Sequence, residues 1–339
     1  MATIKEIADK LHLSPATVSR ALRNDETLSI RMETRSLILS TAAEMGYVSH
    51  HNKKNVRKSR KILVIHKYSA FRSQMDSAYY YTMRTGIEDV CVKNDIQYTF
   101  TAIDELNEKK VNADGIVLLG NFARNQFEEV LGLIGDLPAV VAGNVCYYRQ
   151  RFNHVSFSNK ESVTIALKYL KKNGHRKIGY MGIIEEEVPN MIGSRKATYL
   201  EWVKKEGTYR PEWLLERDRG SDRVEQGVSM GRELLQQKEL PTALFCANDS
   251  VALGVINAFN DAGVSVPGQV SIVSHDGSYP TQYSYPQLTT VNVHPYHLGA
   301  EAMRLLIQRM NKPEKYTCEL LLMPTLKVRS SVRNITAGE

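Results

Sequence analysis

Residues Ile4 to Leu22 read IKEIADKLHLSPATVSRAL. Ile4, Ile7, Ala8 and Leu11 recur at helical spacing and give a first short helix one apolar stripe. The stripe stops at His12-Leu13, and histidine tolerates a left-handed turn better than most residues. Ser14 then offers a hydroxyl to cap a second helix, and Pro15 suits its first turn, where no amide hydrogen bond is needed. Val18, Ala21 and Leu22 form the buried side of that second helix, leaving Thr17, Ser19, Arg20 and Arg23 outward, within reach of a polyanion. Two short helices across a tight turn, the second polar-faced with a basic edge, predict a helix-turn-helix that inserts its second helix into the DNA major groove. A plain amphipathic hairpin is the blander alternative. A third helix opens at Thr34-Arg35, with Ile38, Leu39, Ala42 and Met45 at core spacing and Gly46-Tyr47 ending it.

The charge is placed to match. Residues 1–61 carry 12 Lys and Arg against 6 Asp and Glu, while the whole chain of 339 residues is only +7, so the rest is nearly neutral. A basic head on a neutral body points to nucleic acid bound at one end. The length allows about two or three domains with proper cores. No apolar run approaches the roughly eighteen residues of a membrane span, and a soluble, cytoplasmic protein is expected. Cys91, Cys146, Cys246 and Cys318 are scattered singly, which fits reduced and mostly buried thiols. His50-His51 lack further ligands at metal spacing, so neither a metal nor a cofactor is expected.

After the head, residues 48–61 (VSHHNKKNVRKSRK) hold one apolar pair, Val48 and Val56, among eight basic or histidine side chains, and read as a solvated linker. From Lys61 the chain alternates strand and helix: KILVIHKY, a helix with Met83, Gly86, Ile87 and Val90 inward, then IQYTFTAI, DGIVLLG, AVVAGN and HVSFS with helices between. A second unit follows through RKIGYMG, TALFCAN, VSIVSHD and LTTVNV, and the chain ends in ELLLMP and LKVRSS. Strict alternation implies parallel sheets covered on both faces, and the strands are too many for one ordinary sheet. The expected fold is α/β: a three-helix headpiece followed by two doubly wound subdomains with a cleft between them.

Open parallel sheets bind ligands beyond the carboxyl ends of their strands. Asn248-Asp249 after TALFCA, Asp276 after VSIVSH and Asn292 within LTTVNV put polar groups at three such ends, and Arg195 opens a nearby helix. A guanidinium donates paired hydrogen bonds and a carboxylate accepts them, which suits adjacent sugar hydroxyls. A surface ion pair for Arg195 and a helix cap for Asp249 are the plainer readings.

The stretches TIKEIA, SPATVSRAL, ETR and AAEMGY, in that order, closely resemble the headpiece of the lactose/galactose-repressor family, and ANDSVALGVINAF, VSIVSHDG and PQLTTV resemble its effector-binding core. The resemblance implies that Pro15, Ala16 and Arg20 read bases, that Thr3, Thr17, Ser19 and Thr34 contact phosphates, and that Val56 wedges the minor groove from a hinge helix within the linker. His12 replaces the family's turn glycine, Arg23 its asparagine, and Asn52-Lys53 its apolar hinge pair. It further implies an effector site of Tyr68, Asp76, Tyr79, Arg195, Asn248 and Asp276. Ser158 departs from a common aspartate, Val293 from a common glutamine, and no aromatic stands near Asp222 for stacking on a sugar. The implied domains are a headpiece 1–47, hinge 48–61, core N-subdomain 62–158 with 293–319, core C-subdomain 159–292 with 320–333, and tail 334–339. The implied protein is a homodimeric repressor on near-palindromic operator DNA, released by a galactose-like or β-galactoside sugar. NITAGE holds no leucine heptad, so a dimer is expected rather than a tetramer.

Three other classes share parts of these features. Co-repression by a purine or a phosphoprotein would use the same fold with the opposite sign of response. A transport-type sugar-binding protein would have no use for the headpiece. An enzyme is suggested only by GVSMG at Gly227–Gly231, a formal GxSxG match, but that motif needs a preceding strand and SDRVEQ is helix-forming. Catalysis is not expected, and there is no Walker A or GxGxxG loop.

Overall fold

The computed structural model describes residues 3–22, 25, 28, 30, 32–45, 60–67, 74–106, 111–184, 194–218 and 222–336. The chain divides after Ser59 into two compact units. Arg23, Val56, Tyr68 and residues 48–59 of the hinge expected over 48–61 lie outside the described residues, and Lys61 opens the first strand.

Among the described residues the first unit holds three helices, Ile4–Leu11, Pro15–Leu22 and Met32–Glu44. Thr3 caps the first in a capping box with Glu6, the hydroxyl accepting from Glu6 N and the carboxylate from Thr3 N. These bonds hold the Glu6 carboxyl below its ordinary range. His12 closes that helix in the left-handed conformation at φ 53°. Ser14 Oγ accepts from Thr17 N at 3.0 Å and caps the second helix. Ile7, Ala8, Val18, Ala21, Ile38 and Ala42 interlock as a small core, with Ile4, Leu11, Leu13, Leu22 and Met45 around it.

Among the described residues the second unit holds twelve strands: β1 Lys61–His66, β2 Gln97–Ala102, β3 Gly115–Leu119, β4 Ala139–Ala142, β5 Asn153–Phe157, β6 Ile178–Ile183, β7 Leu214–Arg217, β8 Ala243–Cys246, β9 Ser271–Asp276, β10 Thr289–Asn292, β11 Glu319–Leu322 and β12 Thr325–Lys327. They form two six-stranded sheets, ordered β11-β5-β4-β3-β1-β2 and β12-β10-β9-β8-β6-β7. Only β12 runs antiparallel to its neighbour. Strands β3, β4, β5, β6, β8 and β10 are buried along their whole length, as parallel strands covered on both faces must be.

The chain passes between the two sheets three times, after Phe157, after Asn292 and after Leu322. The last passage lies three residues beyond the 319/320 boundary expected from the sequence, because Leu320–Leu322 pair with Val155–Phe157 in the first sheet. Strand β7 was not foreseen.

In each lobe two helices cross where glycines let their backbones touch. In the first, Gln74–Lys93 meets Pro295–Asn311; a Cβ on Gly86 would lie 2.0 Å from Tyr296 O, and one on Gly299 1.9 Å from Met83 O. In the second, Arg223–Leu234 meets Asp249–Asp261 through Gly227 and Gly254, whose added Cβ atoms would lie 2.3 Å from Val251 O and 2.0 Å from Val224 O. These backbones have no room to give. Gly299→Ala is expected to lower the unfolding free energy by roughly 1–3 kcal/mol. Gly132→Ala, on the Arg124–Ile134 helix with nothing near its Cβ, is expected to raise it by about 0.5–1 kcal/mol. Parallel urea titrations of the two variants check both signs.

Candidate DNA-binding and effector sites

On the second helix of the headpiece, Val18 and Ala21 point into the core. The opposite side presents Pro15 and Ala16, both exposed, with Thr17, Ser19 and Arg20 half-buried at its margins. Arg20 Nε donates to Asp25 Oδ2 at 2.7 Å. The carbonyl of Asp25 in turn accepts from Arg35 Nη2, at 3.0 Å, from the third helix. Asp25 thus ties the base-reading candidate to the scaffold, a role that an acidic residue just past a helix end does not announce in sequence. Thr34 is half-buried near the start of the third helix.

In the second unit the passages after β5 and β10 run from the carboxyl end of one sheet's strands straight into a helix of the other lobe. The carboxyl ends of both sheets therefore gather around these passages. Phe157, ending β5, packs its ring 5.5 Å from that of His275 on β9.

Asp276 and Asn292 end β9 and β10, and Asn248 lies two residues beyond the end of β8; these strands lie in the second sheet in the order β10-β9-β8, and Asp276 is in register with Asn292. Arg195 Nη1 donates to Ala247 O at 2.6 Å, which places the guanidinium beside Asn248. Asn248 is 2% exposed. Its Oδ1 accepts from Val251 N at 2.8 Å and caps the Asp249–Asp261 helix, while its Nδ2 has no hydrogen-bond partner among the described residues. A buried donor left unmade costs about 1–3 kcal/mol. Asp276 sits at φ 114°, a conformation L-residues avoid, and accepts from His275 Nδ1 at 2.9 Å. Such strain persists only where the surroundings impose it.

Asp249 is not the helix cap its sequence position suggests; Asn248 takes that role. The Asp249 carboxyl is buried and accepts three bonds, from Ser274 Oγ at 2.5 Å, Thr290 Oγ1 at 2.7 Å and Ser278 N at 2.7 Å. Burial, and then the charge of Asp276, push it up to about 7.

Tyr79 packs against the first lobe's core and edge-on to Tyr80, 5.0 Å away. The Asp76 side chain lies outside the described residues. Ser158 caps the Asn159–Lys172 helix, accepting from Glu161 N at 3.1 Å. Asp222 caps Arg223–Leu234, the helix that carries Gly227, Ser229 and Gly231. GVSMG is therefore helical, and its first glycine serves the helix crossing. A cavity of about 390 Å³ lined by Lys61, Gln97, Thr99 and Asn112 opens at the amino ends of β1 and β2, away from these residues. Among the described residues no group of three His, Cys, Asp or Glu is placed to hold a metal ion, and no helix is long and apolar enough to cross a membrane.

Residues 3–50 match the family model described as bacterial regulatory proteins, lacI family, and residues 167–332 match a periplasmic binding protein-like domain. The HTH-type transcriptional regulator GalR of Streptococcus thermophilus is 30% identical over 342 residues, covering 98% of this chain and all of the relative. The chain belongs to the lacI family of bacterial regulatory proteins. Two solved structures share its fold. The transcriptional regulator CelR in complex with cellobiose has a TM-score of 0.66 at 22% identity, over 98% of this chain and 100% of that one. The lac repressor dimer bound to operator and the anti-inducer ONPF has a TM-score of 0.65 at 17% identity, over 98% and 99%.

The raised value of Asp249 has a defined effect on stability. The native chain holds this proton more tightly than the unfolded one, whose carboxyl titrates near 3.8. The group therefore favours folding most at low pH, and loses that contribution as the pH rises through about 7. Asp249→Asn stays uncharged and meets Ser278 N with a donor, so it is less stable than the parent near about pH 5 and closes the gap by about pH 8. Urea titrations across that range check this; a constant difference would mean that the carboxyl does not titrate there.

Proposed function

We propose that this lacI-family protein is a transcriptional repressor that binds a near-palindromic operator as a homodimer and is released by a sugar acting as inducer. The observation that carries the effector half is the buried Asn248 Nδ2, unpartnered among the described residues, next to the Ala247 carbonyl that Arg195 holds. An amide donor, a guanidinium and a carboxylate at adjacent strand ends suit the alternating donors and acceptors of vicinal hydroxyls. The cellobiose-bound relative is consistent with a sugar, and the operator-bound lac repressor dimer with the mode of DNA binding.

On the DNA side, Arg20 reads a base edge, Pro15 and Ala16 pack against the groove, and Thr3, Thr17, Ser19 and Thr34 contact phosphates. Arg23 and Val56 are proposed on sequence alone, as are Tyr68 and Asp76 in the effector site, where Tyr79 completes the set. Effector binding draws the two lobes together about the inter-sheet passages and lowers operator affinity through a coupling of roughly 1–3 kcal/mol. The protein acts by binding, without chemistry, in the cytoplasm. A galactoside is the favoured sugar; a purine co-repressor would raise operator affinity instead.

The test is fluorescence anisotropy on operator duplexes selected from a random pool, titrated with galactose, lactose, cellobiose and hypoxanthine. One sugar is expected to release the DNA. Tightening with hypoxanthine would replace induction by co-repression, and no response to any sugar would remove the sugar assignment.

Two substitutions separate the halves. Arg20→Ala is expected to cost about 1–3 kcal/mol of operator binding, with sugar binding unchanged by calorimetry. Asn248→Ala is expected to cost about 1–3 kcal/mol of sugar binding with operator affinity intact.

A further inference from the structure

Arg309, on the Pro295–Asn311 helix, is 6% exposed. Its guanidinium lies 4.8 Å from the centre of the Tyr316 ring, and Tyr316 is 62% exposed and forms its lid. Among the described residues neither Nε nor Nη1 has a hydrogen-bond partner. The remaining fork atom, Nη2, donates to Cys318 Sγ at 3.4 Å. A buried cation with two unused N–H groups beside a sulfur is costly unless something supplies acceptors.

Cys318 is held in place on the other side. Its backbone N donates to Asn153 Oδ1 at 3.0 Å, its carbonyl accepts from His154 N at 2.9 Å, and its thiol points at Asn153 Oδ1, 3.5 Å away. It differs from the other cysteines: Cys91, Cys146 and Cys246 are buried, and burial pushes their thiols up, the first two to about 12 and about 11. Cys318 is partly exposed. The adjacent acid, Glu319, is spoken for by Arg149 Nη1 at 2.7 Å, Ser156 Oγ at 2.8 Å and the His154 ring, which together hold its carboxyl down at about 2. The Arg309 charge therefore faces the sulfur without a carboxylate already bound between them.

We propose that Cys318 is a thiol oxidised by hydroperoxides, with Arg309 as the residue that holds the product. The thiol gives up its proton to water, and a sulfur lone pair bonds to one peroxide oxygen. The O–O bond breaks, and the departing hydroxide takes up a proton and leaves as water. Sulfur loses two electrons and the peroxide gains them, giving a sulfenic acid. Ionised as sulfenate, its oxygen supplies the acceptor that the unused N–H groups of Arg309 lack.

The test treats the full chain with hydrogen peroxide in the presence of dimedone and follows each cysteine by peptide mass mapping. The adduct is expected on Cys318 ahead of Cys91, Cys146 and Cys246, and about tenfold more slowly in Arg309→Gln. Circular dichroism reports whether that variant folds. The parent supplies a second measurement: native Cys318 must form the adduct faster than Cys318 in the urea-unfolded chain. An even spread over the four cysteines, a folded Arg309→Gln that matches the parent, or a native rate no faster than the unfolded one would overturn the proposal.

Discussion

Both oxygens of the Asp249 carboxylate are fully engaged, and the three donors that reach it come from three pieces of the second lobe. Ser274 belongs to β9, Ser278 to the turn that follows it, and Thr290 to β10, while Asp249 itself opens the helix after β8. The residues beside these anchors carry the candidate effector contacts: Asn248 precedes Asp249, and Asp276 lies between Ser274 and Ser278. The geometry of the site is thus inherited from a polar knot lying beneath it. Arg329, near the end of the chain, reaches the same region through Thr281 Oγ1, at 3.1 Å, and the Leu288 carbonyl. Burial lowers its pKa, and the Asp249 charge works against that.

The glycines show how local freedom becomes a global requirement. Within helices they are a liability, yet Gly86, Gly227, Gly254 and Gly299 all stand where a neighbouring backbone occupies the place of a side chain. Each lobe solves the same problem in the same way. Two helices are brought close enough for main chain to meet main chain, so the layer covering that face of the sheet is thin and tightly keyed. GVSMG, which formally imitates a hydrolase motif, is one of these contacts.

Much of the architecture is legible from periodicity. The headpiece announces itself through Ile4, Ile7, Ala8 and Leu11 and through the Ser14-Pro15 start signal, and the parallel strands through runs such as GIVLL and ALFC. Strand β7 escapes because LLER is short, ends in two charges and lies at a sheet edge. The boundary near residue 320 is blurred because β11 exposes Leu320 and Leu321, so its apolar run does not mark a buried strand of either sheet. At the sites, residue types at strand ends mark Asn248 and Asp276, but the central part played by Asp249 depends on partners 25 to 41 residues away. Asp25 and Arg309 are invisible for the same reason. Their meaning lies in what touches them, and spacing along the chain carries none of it.

The three passages between lobes are linked to one another. His294, at φ 57° in the second passage, accepts from Asn292 Nδ2 at 3.1 Å and reaches Thr325 Oγ1, where the third passage ends, at 3.3 Å. Burial and the nearby His297 lower its pKa and favour the neutral ring that such bonding needs. Three tethers side by side leave the lobes free to bend about a shared line and resist sliding or unwinding. They also make the halves inseparable in a topological sense. A protease that cuts one passage leaves two intact, so the lobes stay together. Loss of the chain beyond residue 318, by contrast, strips an edge strand from both sheets at once.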